Sequence, residues 1–298
     1  MPQTTCIREH DMFLTGNSYQ KCLSHAIFCP PPEATYPQFL TRQVATSSFK
    51  QVAIAYFVHR NGHIQLLRTT EEIRDAERRP WVLFSHGNSD DIGTCTAYCM
   101  WMAETFEVNV VTYDYRGYGH SCPGDGTETD LCDFIGAVLQ DIGLHRDPGD
   151  ALILVGKSLG SVPTMYLAAH RHEEVDGVVI ISGLATGARA FLHTPLIPTW
   201  IKKKFDNVFG NNIKQEKLVE CQVFIIHGTE DIIIPVQNAH LLLANMSTNA
   251  YWPPLFIKAG HNDVEMNGDR LFDAKLDQFL QHCKQLHHTK LEVQADSF

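Results

Sequence analysis

The stretch from Ala151 to Pro163, A-L-I-L-V-G-K-S-L-G-S-V-P, constrains the fold of this chain more than any other. Ala151 to Val155 is a short unbroken apolar run between Asp150 and Gly156, the composition of a strand buried on both faces. Gly156-Lys157-Ser158-Leu159-Gly160 follows and fits G-x-S-x-G, and Pro163 to His172 then has helical character. Strand, sharp turn and helix in that order form the setting in which such a serine stands at the top of a sheet. The turn must be strained, with φ > 0 at Ser158. Strand and helix must also pass so closely that the positions two before and two after the serine hold glycine. The same letters resemble the end of a phosphate-binding loop, G-x-x-x-x-G-K-[ST]. That motif needs a glycine at position 151, where this chain has Ala151, and a flexible loop in place of the apolar run Leu152 to Val155.

Strands and helices alternate around this stretch. Trp81 to Ser85, Val108 to Tyr113, Gly177 to Ile181, Gln222 to Ile226 and Leu255 to Lys258 read as strands. Thr94 to Glu107, Asp130 to Ile142, Gln237 to Met246 and Arg270 to Cys283 read as helices, the second with Leu131, Phe134, Ile135, Val138 and Ile142 on one face. Such alternation implies an α/β fold, a mainly parallel twisted sheet with helices on both faces. Earlier, Gln51 to His59 and His63 to Thr69 flank Arg60-Asn61-Gly62, a hairpin signal that adds antiparallel strands at one edge. Thr70 to Pro80 reads as an exposed charged loop. Residues 1–40 read as a weakly structured arm with a short amphipathic helix around Tyr19 to Phe28, and 41–298 as one domain.

Charge and cysteine usage narrow the function. A formal net charge of -10 gives no support to nucleic-acid binding. No apolar run is long enough to cross a bilayer. Met1 to Thr15 carries Arg8, Glu9, His10 and Asp11 where a secretory leader needs its apolar stretch, so a cytoplasmic location is expected. The nine cysteines are scattered, and several fall inside expected helices, such as Cys99 and Cys132. Free thiols are expected rather than a disulfide framework.

Sites in doubly wound sheets form at the carboxyl ends of strands. Three of these ends carry chemistry. Ser158 follows one, His227-Gly228-Thr229-Glu230-Asp231 another, and Ala259-Gly260-His261-Asn262-Asp263 the third. Serine, acid and histidine in that order can form a nucleophilic relay. His261 would take the proton of Ser158, and a carboxylate would hold the other ring nitrogen. Asp231 is favoured as that acid, with Glu230 and then Asp263 as alternatives. Backbone N–H groups of Leu159 and of Asn88, in the turn after Trp81 to Ser85, are the expected oxyanion donors. His86 can equally be a structural histidine in a tight turn, and Asp114 with Arg116 is expected to be a buried charged pair shaping a loop. The pairs His170/His172 and His287/His288 lack the further ligands a metal needs, so no metal and no cofactor are expected.

Leu184 to Val219 is longer than a usual connection. Its residues Phe191, Leu196, Ile197 and Trp200 are expected to wall a substrate pocket as a short lid-like insertion. The plainer alternative is a helix packed on the sheet with a solvated lysine face.

S-H-G-N-S-D-D-I-G, Y-D-Y-R-G-Y-G-H-S, G-K-S-L-G-S-V-P-T, I-I-H-G-T-E-D and A-G-H-N-D together resemble the α/β-hydrolase-domain proteins that include membrane-associated protein depalmitoylases. The resemblance runs from about Cys29 to Cys283. It implies the α/β-hydrolase fold and a cytosol-facing serine hydrolase that cleaves palmitoyl thioesters on proteins, with Ser158 as nucleophile, Asp231 as acid and His261 as base. Family members carry a dense N-terminal cysteine cluster that is itself palmitoylated. Here only Cys6, Cys22 and Cys29 occur, well spread, so weak peripheral membrane association is expected. Lys157 stands where a glutamine is usual in the family. The expected partner is an acylated protein or a lipid ester. The rival readings are a carboxylesterase or lysophospholipase acting on small lipids, and a non-catalytic binding module on the same fold. The sequence leaves the oligomeric state open.

Overall fold

The computed structural model describes residues 28–48, 50–124, 127–187, 210–246 and 251–295. The expected helix around Tyr19 to Phe28 and most of the arm over 1–40 lie outside them. The described end of the arm packs against the domain, with Phe28 and Tyr36 buried in the core.

Nine strands form one sheet among the described residues: β1 (Arg42–Ala45), β2 (Gln51–Arg60), β3 (His63–Leu67), β4 (Trp81–Ser85), β5 (Asn109–Tyr113), β6 (Leu152–Lys157), β7 (Gly177–Ile181), β8 (Gln222–Gly228) and β9 (Tyr251–Ile257). The order is β1-β2-β5-β4-β6-β7-β8-β9, with β3 pairing the far half of β2. From β5 to β9 every pairing is parallel, and β1, β2 and β3 add the antiparallel edge. Asn61 and Gly62 both have φ > 0, as a tight hairpin turn requires.

Period-two alternation sorts each buried strand between two cores. Leu83, Leu152, Leu154, Val178, Ile180, Val223 and Ile225 face one of them. There they meet Leu131, Phe134 and Val138 of α3 (Glu128–Gly143) and Met165 of α4 (Ser161–His170). Val82, Phe84, Ile153, Val155, Val179, Ile181 and Phe224 face the other. Their partners are Cys99 and Met102 of α2 (Ile92–Phe106) and Phe272, Leu276 and Phe279 of α7 (Val264–Ala295).

Four sequence expectations are corrected. Thr70 to Pro80 is not all loop: α1 (Thr70–Arg74) opens it, with Thr69 and Glu72 forming a reciprocal capping box and Ile73 fully buried. β1 was not anticipated, because its exposure alternates over only a few residues. The last strand begins at Tyr251 rather than Leu255. Pro253 and Pro254 are tolerated because β9 is an edge strand with a bulge opposite Ile225. The final helix starts at Val264, breaks at Asp269 and runs on to Ala295. Beyond Cys283 it is held by polar contacts, His287 Nδ1 lying 3.0 Å and Lys290 Nζ 3.3 Å from the Asp176 carboxylate.

No helix among the described residues is long and apolar enough to cross a membrane. The seven described cysteines are free thiols.

Candidate active site

Ser158 ends β6 at φ 53, a strained backbone for a residue with a side chain. The close approach predicted for the flanking glycines is present. A Cβ at Gly156 would lie 2.7 Å from the Gly160 carbonyl oxygen and from Thr164 Oγ1, and one at Gly160 would overlap the Ser85 carbonyl of β4. Gly160 thus lets the start of α4 press against the end of β4, which brings the His86–Asn88 turn beside the serine.

Three strand ends converge here. Ser158 Oγ is 3.0 Å from His261 Nε2, and His261 Nδ1 is 2.7 Å from Asp231 Oδ2. An ionised carboxylate can only accept, so Nδ1–H donates to Asp231 and Nε2 is left to accept the Ser158 hydroxyl proton. The other carboxylate oxygen, Oδ1, accepts from the N–H groups of Ile233 (2.9 Å) and Ile234 (2.8 Å). Burial alone would raise the Asp231 pKa. Hydrogen bonds from His227 and His261, and the charge on His261, outweigh it and hold the carboxyl far below its ordinary range.

The alternative acids point elsewhere. Glu230 is exposed, 3.8 Å from Lys258 Nζ, while Asp263 accepts from Gly260 N and Asn267 Nδ2 and shapes its own turn.

The turn after β4 is held from behind. His86 is fully buried, with Nδ1 2.8 Å from the Gly87 carbonyl and Nε2 3.4 Å from Asp114 Oδ1. Burial lowers its pKa, yet the Asp114 carboxylate, Cys95 and the Gly87 carbonyl together more than offset this and push it up to about 9. Asp114 also accepts from Tyr36 Oη and from Ile92 N. The expected Asp114–Arg116 pair is therefore corrected: Arg116 reaches Asp130 at 3.2 Å, and the group that meets Asp114 is His86. The geometric reason is that Asp114 turns inward from the end of β5, whereas Arg116 lies one turn further out. Asn88 is half-buried, and its Oδ1 accepts from Tyr118 Oη (2.7 Å) and Cys29 N (3.1 Å). Its Oδ1 is thus committed to holding the loop to Tyr118 and to the arm at Cys29. Leu159 is buried in the first turn after the serine.

Phe191, Leu196, Ile197 and Trp200 lie outside the described residues. The described ends of their segment are tied together, with Asn212 Nδ2 donating to Leu184 O (2.8 Å) and to Ser161 Oγ (3.2 Å). Two neighbours of the site were not anticipated. His227 Nε2 donates to Ile234 O (2.8 Å) and lies 3.4 Å from Asp231 Oδ2, and Lys157 Nζ lies 2.8 Å from Glu265 Oε1. The strand-end sequence His227-Gly228 was a usable signal for the first. No signal pointed to the second, because its partners are far apart in the chain.

Residues 76–222 match a family model described as serine aminopeptidase, S33. The fold is that of the Pyrococcus furiosus esterase Pf2001, with TM-score 0.62 and 14% identity over 85% of this chain and 99% of that one. The chain has the α/β-hydrolase fold, and close to half of it matches that hydrolase family model. Among the proteins similar to this chain is the human α/β hydrolase domain-containing protein 17B, 35% identical over 67% of this chain and 65% of that protein. Another is the Caenorhabditis elegans protein aho-3, 34% identical over 62% of this chain and 53% of that one. This chain thus matches between about half and two thirds of the length of these curated relatives. A Paleococcus ferrophilus monoacylglycerol lipase shares the fold at TM-score 0.55 and 17% identity.

Proposed function

We propose that this α/β-hydrolase is a serine hydrolase that cleaves acyl thioesters or esters, its substrate a palmitoylated protein. The observation that carries the reading is the hydrogen-bonded series Asp231–His261–Ser158 on a strained elbow. Ser158 Oγ attacks the acyl carbonyl carbon as its proton passes to His261 Nε2, and Asp231 stabilises the imidazolium. The developing oxyanion is met by the main-chain N–H groups of Leu159 and Asn88. The C–S or C–O bond then breaks, and His261 returns the proton to the leaving thiolate or alkoxide. Water attacks the acyl-Ser158 ester by the same route, releasing the carboxylic acid and restoring the serine.

The palmitoyl substrate rests on the motif resemblance to protein depalmitoylases. It also rests on Phe191, Leu196, Ile197 and Trp200, which we assign to the wall of the acyl pocket. Each CH₂ of a chain buried there is worth about 0.8 kcal/mol. Phe191→Ala and Trp200→Ala should therefore cost palmitoyl thioesters about thirtyfold in kcat/KM and acetyl thioesters little. Equal losses at every chain length would mark the segment as plain packing. The same reading puts the protein in the cytoplasm with weak peripheral contact to membranes, which cell fractionation tests.

The decisive experiment is labelling by a fluorophosphonate probe, with Ser158→Ala as control. Wild type should label, and the variant should lose about 10⁶-fold in kcat. Labelling that survives in Ser158→Ala would reject Ser158 as the nucleophile, and a wild type that does not label would favour a binding module. A panel of palmitoyl-cysteine peptide, short-chain ester, lysophospholipid and aminopeptidase substrate then ranks the leaving groups.

A further inference from the structure

Lys157 occupies the residue before the nucleophile, and strand alternation sets where its side chain goes. Ile153 and Val155 face the core shared with α2 and α7, so Lys157, two residues on, projects from the same side of β6. There its ammonium meets one group from each of those helices. Glu265 Oε1 of α7 is 2.8 Å away, and the ring centroid of Tyr98 on α2 is 5.3 Å away. Both charged side chains are largely enclosed, at 17% exposure for Lys157 and 13% for Glu265.

An enclosed ion pair is seldom worth more than an apolar pair of the same shape, so stability alone does not account for it. Its placement does. Lys157 is bonded to Ser158, Glu265 lies four residues beyond His261 at the start of α7, and Tyr98 lies on the helix that begins directly after the His86–Asp91 turn. The ammonium next to the nucleophile therefore touches the two helices that follow the histidine-bearing and oxyanion loops.

We propose that Lys157 is a positioning residue of this site, its pairing with Glu265 and its seat on Tyr98 clamping the elbow to the histidine-bearing and oxyanion loops. The inference rests on the serine-hydrolase reading above. The other titratable groups near the clamp are Cys99 on α2 and Asp273 on α7, both close to Tyr98, and His261 reaches it through Ser158.

The test is the rate constant of fluorophosphonate labelling as a function of pH, on folded protein checked by thermal melting. Lys157→Met and Glu265→Gln should each slow labelling about tenfold through misplacement of the elbow. Lys157→Met leaves the Glu265 carboxylate unpaired, which favours imidazolium and moves the acid limb up by about half a pH unit. Glu265→Gln leaves the ammonium unpaired and moves the limb down by about as much. The double variant should keep the slow rate and recover the wild-type limb, and Lys157→Arg should recover most of the rate. Wild-type rates in folded Lys157→Met and Glu265→Gln would overturn the clamp, as would limb shifts in the same direction. A wild-type protein that does not label through Ser158 would instead reject the serine-hydrolase reading, and the clamp with it.

Discussion

At the residue scale the site depends on how few alternatives each atom has. Asp231 is the neighbour of His261 because its side chain turns inward, where Ile233, Ile234 and His227 also meet it, while the adjacent Glu230 faces solvent. Asp231→Asn should leave the fold intact and lower kcat by up to about 10⁴-fold, because an amide can donate to Nδ1 and so favour the wrong tautomer. Glu230→Gln should change kcat by less than about twofold. Steady-state kinetics on the two variants ranks them, and the reverse order would reassign the acid. The linkage has a definite sign. The Asp231 pKa is depressed in the folded state, so its contribution to stability is present above about pH 4 and is lost as the pH falls towards its folded value.

At the element scale, local chemistry and packing divide the work. The capping box of α1 is a local device, legible in Thr69-x-x-Glu72, that holds the fully buried Ile73 in place. Thr69→Ala should cost about 1 kcal/mol and lower Tm by roughly 3 °C with activity unchanged, measured by thermal melting and ester hydrolysis. The charged letters of this stretch read as loop because a five-residue helix is too short to show a period. β9 carries a comparable lesson, since Pro253 and Pro254 argue against a strand until its edge position is known. The tail of α7 beyond Cys283 has almost no apolar face. It stays helical because Asp176, at the start of β7, collects His287 and Lys290.

At the scale of the whole molecule, two buried groups make stability depend on pH. Glu216, after α5 (Asn212–Gln215), is 2% exposed and neither carboxylate oxygen has a hydrogen-bond partner among the described residues, and burial pushes its pKa up to about 8. Its folded pKa lies above its unfolded one, so the stability it permits is complete below about pH 4.5 and declines as the pH rises towards 8. His86, raised to about 9, adds a second loss between about pH 6.5 and 9. Wild-type Tm should therefore fall by several degrees from pH 5 to pH 9, and Glu216→Gln should flatten the part below pH 8. An identical pH slope in that variant would show that Glu216 is not charged at a cost.

The sequence by itself determined the alternation of strands and helices from Trp81 onwards, the elbow at Ser158 and the three strand ends that carry serine, acid and histidine. These are local patterns, a period of two or 3.6 and glycines at fixed offsets, and they survive without knowledge of what packs against them. Only the tertiary structure decided that Asp231 and not Glu230 meets His261, that Asp114 pairs with His86 and not Arg116, and that Lys157 meets Glu265. Those choices turn on which way a side chain faces at the end of a strand. That direction is set by residues as many as 108 positions away, brought near only when the sheet closes.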